Sequence, residues 1–403
     1  MEQSDSLAPN GSDPPIDSGP PIDIDVDEDA PPQSITIPFD PSKTVIDTKP
    51  ISLDLLVRRL KYNEIDLAPE FQRSADLWSD ERMSRLIESV LIRIPLPVFY
   101  FDASEDKQWL VIDGLQRLST FRRFIVDNKL RLTRLEYLTH LEGKTFTDLP
   151  RDLQRRIEET QVTVNLIQPG TPADVKYNIF RRINTGGLVL TPQEIRHAMN
   201  RGGSANKFLI ELAELPEFLE ATAKSVPIAR MEDREFALRF VAFSQTPYRE
   251  FGKRVRHQSF EAEENLDLFL TRHMEFLNSA SAEALASIRA KFRLAMMTAQ
   301  GIFGEDAFRK RYDLHAKRNP INKALFDAWS TVLGGIPPAD ALRLLDRADE
   351  LKEAFRHALS TDYLFDQSVT QGTGDPKKVV RRFEMIENLI KTTLAEPNDA
   401  ARA

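Results

Sequence analysis

Apolar residues at helical spacing first appear in 52–60, where Leu53, Leu56, Val57 and Leu60 share one face. Met83, Leu86, Ile87, Val90 and Leu91 form a second such stripe. Ser79 stands before it as a cap, with Asp80 and Glu81 in the first turn, where acids suit the positive end of a helix. Pro95 and Pro97 bracket a short extended run, Val98-Phe99-Tyr100-Phe101, which reads as an edge or early strand because Pro cannot donate to a ladder. Trp109–Ile112 is a continuous apolar run and predicts a buried strand; Leu118, Phe121, Phe124 and Ile125 mark a helix after it. Val162, Val164 and Leu166 alternate within Gln161–Ile167, the period of another strand. Beyond it the pattern is helical to the end of the chain, as in Phe236, Phe240 and Phe243. Two helix starts are well marked. Thr171-Pro172-Ala173-Asp174 and Thr191-Pro192-Gln193-Glu194 each place Thr at the cap and Pro at the first helical position. Glu194 completes a capping box, and Asp174 is an acidic analogue of one.

The pattern predicts an α+β chain in which a small α/β domain, residues 35–170, precedes a larger, mainly helical domain, residues 171–400. Charge sharpens the N-terminal limit. Residues 1–34 hold nine acids, seven Pro and neither Lys nor Arg, so this segment carries −9 of a net charge of −8 and the rest, at about +1, is close to neutral. With so few large apolar side chains it cannot offset its ordering entropy, and it is expected to be a disordered acidic tail. The chain has no cysteine, which excludes disulfides, zinc–thiolate sites and cysteine nucleophiles. No apolar run reaches the roughly 18 residues of a membrane span, and the N-terminus has no basic or apolar region of a signal peptide. A cytoplasmic protein without membrane contact is the expectation.

The candidate chemistry lies in Trp109-Leu110-Val111-Ile112-Asp113-Gly114-Leu115-Gln116-Arg117-Leu118, which passes from strand to helix with only Asp-Gly between. The first amides of a helix lack intrahelical acceptors and lie at the positive end of its dipole, an arrangement that attracts anions. Gly114 would let a phosphate approach the backbone, and Arg117 offers a planar fork of donors. Asp113 would hold a magnesium ion or a water, or simply cap the helix. From the residues alone an ordinary strand-end turn remains open.

Three separated motifs carry a resemblance. They are Phe71-Gln72-Arg73 with Trp78-Ser79, Leu86-Ile87-Glu88-Ser89 and Ile94-Pro95-Leu96-Pro97; Ile112-Asp113-Gly114-Leu115-Gln116-Arg117-Leu118; and Phe180-Arg181-Arg182-Ile183-Asn184-Thr185-Gly186-Gly187 with Leu190-Thr191 and Glu194-Ile195-Arg196. Over roughly residues 45–200, this order resembles the N-terminal domain of GmrSD-type modification-dependent restriction enzymes. The resemblance implies a ParB/sulfiredoxin-like fold that binds a nucleoside triphosphate, of unknown base, with Mg2+. It implies roles in binding and hydrolysis for an Asp-Gly-Gln-Gln-Arg motif that maps onto 113–117. Asp113 and Gln116 are then the candidate catalytic residues, and Asp113 the metal ligand. Arg73, Asp113, Gly114, Gln116, Arg117 and Asn184 are the candidate nucleotide contacts. The chain departs from the motif at Leu115, which cannot hydrogen-bond a phosphate or position a water, unless that position simply packs inward. Arg73 has a structural ion pair as its alternative role. Arg181 and Arg182 read equally as solvated residues on a helix capped by Gly186-Gly187.

Full-length members of this family sense modified DNA and carry a C-terminal HNH nuclease. None of the six histidines here sits in such a pattern, so any cleavage would fall to a separate nuclease partner. The expected function is an NTP-binding regulatory or sensor protein of a bacterial restriction or phage-defence type, with NTPase activity as an open step. The alternative is a DNA-binding or adaptor protein with a vestigial nucleotide site. For that alternative Arg249, Lys253, Arg254, Arg256 and His257, interleaved with Phe251, are the candidate phosphate contacts. Such a run is more often a solvated face, and the same holds for Arg309-Lys310-Arg311 and the bases of 377–382.

Overall fold

A computed structural model describes residues 24–25, 45–67, 78–105, 107–171, 173–183, 190–200, 202–257, 260–313 and 316–395. It has an α+β architecture. In chain order the first part comprises β1 (Ile24–Asp25), β2 (Ile46–Ser52), α1 (Leu53–Lys61), β3 (Ile65–Asp66), α2 (Asp80–Leu91), β4 (Phe99–Asp102), β5 (Trp109–Asp113), α3 (Leu115–Phe121), α4 (Arg151–Glu159), β6 (Gln161–Ile167), α5 (Ala173–Ile183) and α6 (Pro192–Met199). A π-helical turn, Arg122–Val126, follows α3. Ten further α-helices run from Ser204 to Leu394 among the described residues, interrupted by a hairpin of β7 (Arg254–His257) and β8 (Phe260–Glu263) and by the short β9 (Ile321–Asn322).

The central sheet has the order β2-β6-β4-β5-β3. β2 is antiparallel to β6 and β4 to β5, whereas β4–β6 and β3–β5 are parallel. The run at 98–101 was expected at an edge, but β4 is the central strand. Pro95 and Pro97 precede it, so both sides of Phe99–Asp102 keep their donors. The edges are β2, whose Pro50 suits that position, and β3; apart from Ile51, the β2 residues are exposed or half-buried.

Alternation along β5 serves two cores. Trp109 and Val111 pack with Phe99, Phe101, Leu118 and Phe121 beneath α1–α3. Leu110 and Ile112 face Tyr177, Phe180 and Ile195 of α5 and α6. These two helices, grouped by pattern with the helical region, thus cover the second face of the sheet. A third, larger core fills the helical part, with Phe236, Phe240, Phe292, Phe326 and Trp329 inside it.

The expected helix starts at 53 and 80 are found, with Ser52 and Ser79 accepting from Leu55 and Arg82 amides. Thr191 and Glu194 form the expected capping box. The hairpin β7–β8 corrects the expectation of helices throughout the C-terminal half. Of the segment 1–34, read as a disordered tail, only Ile24 and Asp25 are described, and these two are ordered: β1 pairs parallel with β9.

Candidate functional site

The motif at 113–117 sits where β5 ends and α3 begins. Gly114 caps α3 with φ +103°, a left-handed conformation that costs glycine little. A Cβ there would lie 2.4 Å from Phe99 Cδ1, so the turn demands glycine for space as well. Asp113 ends the strand with its side chain 39% exposed. The first amides of α3 lie just beyond it and have no intrahelical acceptor by helix geometry.

Arg117 is directed inward rather than toward solvent. Its guanidinium donates to the carbonyls of Pro97 and Val98, the latter at 3.2 Å, and to Asp113 Oδ2 at 2.8 Å. It also lies over the Phe99 ring, 4.3 Å from the centroid. Burial lowers its pKa below the usual arginine value, and the Asp113 carboxylate opposes that shift. The fork that the sequence offered to phosphate thus ties β5, α3 and the entry to β4 together and orients Asp113. The Asp-to-Arg spacing of four residues was the available signal, since it lets a strand-end carboxylate meet a side chain on the first turn of the following helix.

Gln116 Oε1 accepts the Trp78 amide at 3.0 Å, joining the motif to the start of α2. Leu115 is half-buried and packs against the first core, which accounts for an apolar residue there. Glu88 of α2, noted in sequence only as part of a motif, is buried and accepts amides of Glu136, Tyr137 and Leu138 at 3.0, 2.8 and 2.7 Å. Burial pushes its pKa up, but those amides and Arg85 outweigh burial and hold it below the ordinary value. Arg73, Asn184 and the Gly186-Gly187 cap lie outside the described residues.

Of the third motif, Arg181 approaches Asp267 at 3.9 Å and Arg182 is exposed. Arg196 is fully buried, bonded to Gln193 at 3.0 Å and to Asp267 at 3.1 Å. Near the opposite end of β4, Lys176 pairs with Asp102 at 3.2 Å. Among the described residues no three His, Asp or Glu side chains converge as a metal site. A lone half-exposed carboxylate such as Asp113 still fits a magnesium ion held mainly by phosphate oxygens and water.

The basic clusters are largely paired within the chain. Arg249 bonds Glu384 at 3.0 Å and Lys253 pairs with Glu250 at 2.7 Å. The hairpin register sets Arg254 opposite Glu263 and Arg256 opposite Glu261. Arg309 is buried against backbone carbonyls and Ser225, Lys310 pairs with Asp25, and Arg382 is buried against Asp327.

No helix among the described residues is long and apolar enough to cross a membrane. In comparison with known proteins, residues 55–200 match a family model described as "GmrSD restriction endonuclease, N-terminal domain". No curated protein and no solved structure gave a match.

Proposed function

Because residues 55–200 are a domain of the GmrSD restriction endonuclease N-terminal family, we propose that this chain is a nucleoside-triphosphate-binding regulatory or sensor protein of a restriction or phage-defence system. The observation that carries the reading is the strand–Gly–helix turn at 113–115, with its left-handed glycine and half-exposed carboxylate. In this proposal the first amides of α3 bind phosphate oxygens, as helix N-termini do. Asp113, held by Arg117, would hold a magnesium ion or a water beside the phosphates, and the ion would supply charge neutralisation there. Gln116 orients a phosphate or the attacking water. Arg117 acts as a positioning residue rather than as a phosphate contact. Arg73 and Asn184 complete the contacts, and the ParB/sulfiredoxin-like fold is part of the same proposal.

Leu115 favours a second reading, in which nucleotide binding survives without hydrolysis and the protein acts as an adaptor. A packed leucine cannot hold a water, so the burden of hydrolysis falls on Asp113 and Gln116. DNA and a separately encoded nuclease are the partners that either reading implies. Internal pairing of Arg249 and Lys253 weakens the case for residues 249–257 as the DNA contact.

The test is Asp113→Ala. We expect it to weaken binding of a magnesium–nucleotide analogue by about tenfold, the equivalent of about 1.4 kcal/mol, and to abolish any hydrolysis. Binding and turnover equal to the parent would overturn the assignment.

A further inference from the structure

The two described residues of the acidic N-terminal segment dock on the helical part by strand pairing. Ile24 pairs with Ile321 and Asp25 with Asn322, in parallel register. Ile24 is 6% exposed and belongs to the large helical core. Asp25 Oδ2 meets Lys310 Nζ at 2.5 Å and accepts from Asn322 Nδ2 at 2.9 Å. The receiving elements are themselves tightly held. Ile321 bridges Arg309 on its other side. Asn322 donates its amide to Phe308 and its side chain to the Val369 carbonyl, and it accepts the Leu325 amide. A strand edge with apolar surroundings for Ile24 and with Lys310 beside Asp25 therefore takes an extended apolar–Asp dipeptide. Main-chain pairing supplies the hold, and alternate side chains supply the choice.

The segment that fills it is repetitive. Ile22-Asp23, Ile24-Asp25 and Val26-Asp27 follow one another directly, and Ile16-Asp17 lies upstream. A strand has period two, so a shift of two residues presents an equivalent apolar residue and an equivalent carboxylate to the same groups. Register is weakly specified in such a sequence.

We propose that β9 with Lys310 forms a strand-accepting site for extended apolar–Asp segments, and that the chain's own N-terminal segment is its resident occupant, sliding by two residues between equivalent dipeptides. This is independent of the nucleotide reading, because none of its residues belongs to the 113–117 turn. The resident segment competes with other acidic strands at an effective concentration on the order of millimolar for a short tether.

The test uses full-length protein and a fluorescein-labelled peptide of residues 20–29, followed by anisotropy. The parent should bind the peptide weakly. The triple variant Ile22→Ser/Ile24→Ser/Val26→Ser should bind it at least about tenfold tighter, because its own segment no longer competes. Ile24→Ser alone should leave binding near the parental level, since a neighbouring dipeptide takes over. Adding Lys310→Gln to the triple variant should remove the gain. A peptide with every Asp replaced by Asn should lose affinity for the unaltered triple variant, a readout that needs no further change in the protein. No gain in the triple variant, or retained affinity of the Asn peptide, would overturn the site. A gain from Ile24→Ser equal to that of the triple variant would overturn the sliding.

Discussion

Buried charge is used in two different ways in the sheet-containing part and in the helical part. In the former, Arg117 and Glu88 spend their charge chiefly on backbone groups: Arg117 on the carbonyls of Pro97 and Val98, Glu88 on three consecutive amides. Each fixes an irregular segment that no ladder holds. In the latter, the group around Asp327 satisfies its charges chiefly among side chains, although Arg309 is held by backbone carbonyls there too. Asp327 accepts from Arg239 at 2.8 and 2.6 Å and from Arg382 at 3.2 Å, and Arg239 continues to Glu235 and on to Lys323. That chain of ions joins helices already packed by apolar contacts. The first arrangement positions a turn and its neighbours; the second sets which helices meet.

The largest effect that sharpens this contrast is expected at Asp327. Burial lowers the Arg382 pKa to about 10 despite Asp327, while at Arg239 Asp327 together with Glu235 and Glu232 outweighs burial and raises the pKa. Asp327→Ala removes the carboxylate that Arg382 meets and leaves Arg239 with Glu235 alone, and should cost about 3–5 kcal/mol in urea unfolding, with little direct effect on nucleotide binding in protein that remains folded.

His273 comes next. Its ring lies between the Phe269 carbonyl, 2.7 Å from Nδ1, and the Thr246 hydroxyl, 3.0 Å from Nε2. Burial lowers its pKa from 6.5 to about 4, against the raising effect of the Phe269 bond. The unfolded chain therefore takes a proton before the folded one does. Stability from this residue is complete above pH 6.5 and is lost as pH falls toward 4, by about 3 kcal/mol at most. His273→Gln should flatten that part of a stability–pH profile, and an unchanged slope would contradict the assignment.

The smallest effect concerns Glu88. Its pKa is depressed, so its contribution is present above about pH 4.5 and disappears as pH falls through the folded value. Glu88→Gln should cost about 2 kcal/mol at neutral pH and raise hydrogen exchange at Glu136, Tyr137 and Leu138. Exchange raised equally throughout the helical part would break the proposed division of roles.

Much of the local structure was legible in sequence. Ser79 followed by acids and an apolar stripe specifies α2, and Thr191-Pro192 with Glu194 specifies the start of α6, because caps act within one turn. The place of β4 was hidden because strand order depends on long-range pairing, and nearby prolines mimic an edge signal. β7–β8 was hidden because each strand is only four residues long: Val255, Phe260 and Ala262 alternate with Arg254, Arg256, Glu261 and Glu263 over too short a run to stand out from the helical text around it. At the candidate site, Gly114 was readable as a turn glycine. The inward direction of Arg117 was not, since its acceptors are the carbonyls of Pro97 and Val98, twenty and nineteen residues away, and no side-chain pattern encodes them.

The central claim, that the 113–115 turn receives phosphates, is tested most directly by titrating the full-length protein with non-hydrolysable ATP, GTP and CTP analogues in the presence of magnesium. Gly114→Ala serves as the comparison, because a Cβ there strains a left-handed turn and meets Phe99 at 2.4 Å. The account predicts that at least one analogue binds and that Gly114→Ala weakens it about tenfold or more while the fold persists by circular dichroism. Absence of binding to all three, or equal binding by the folded variant, would contradict it.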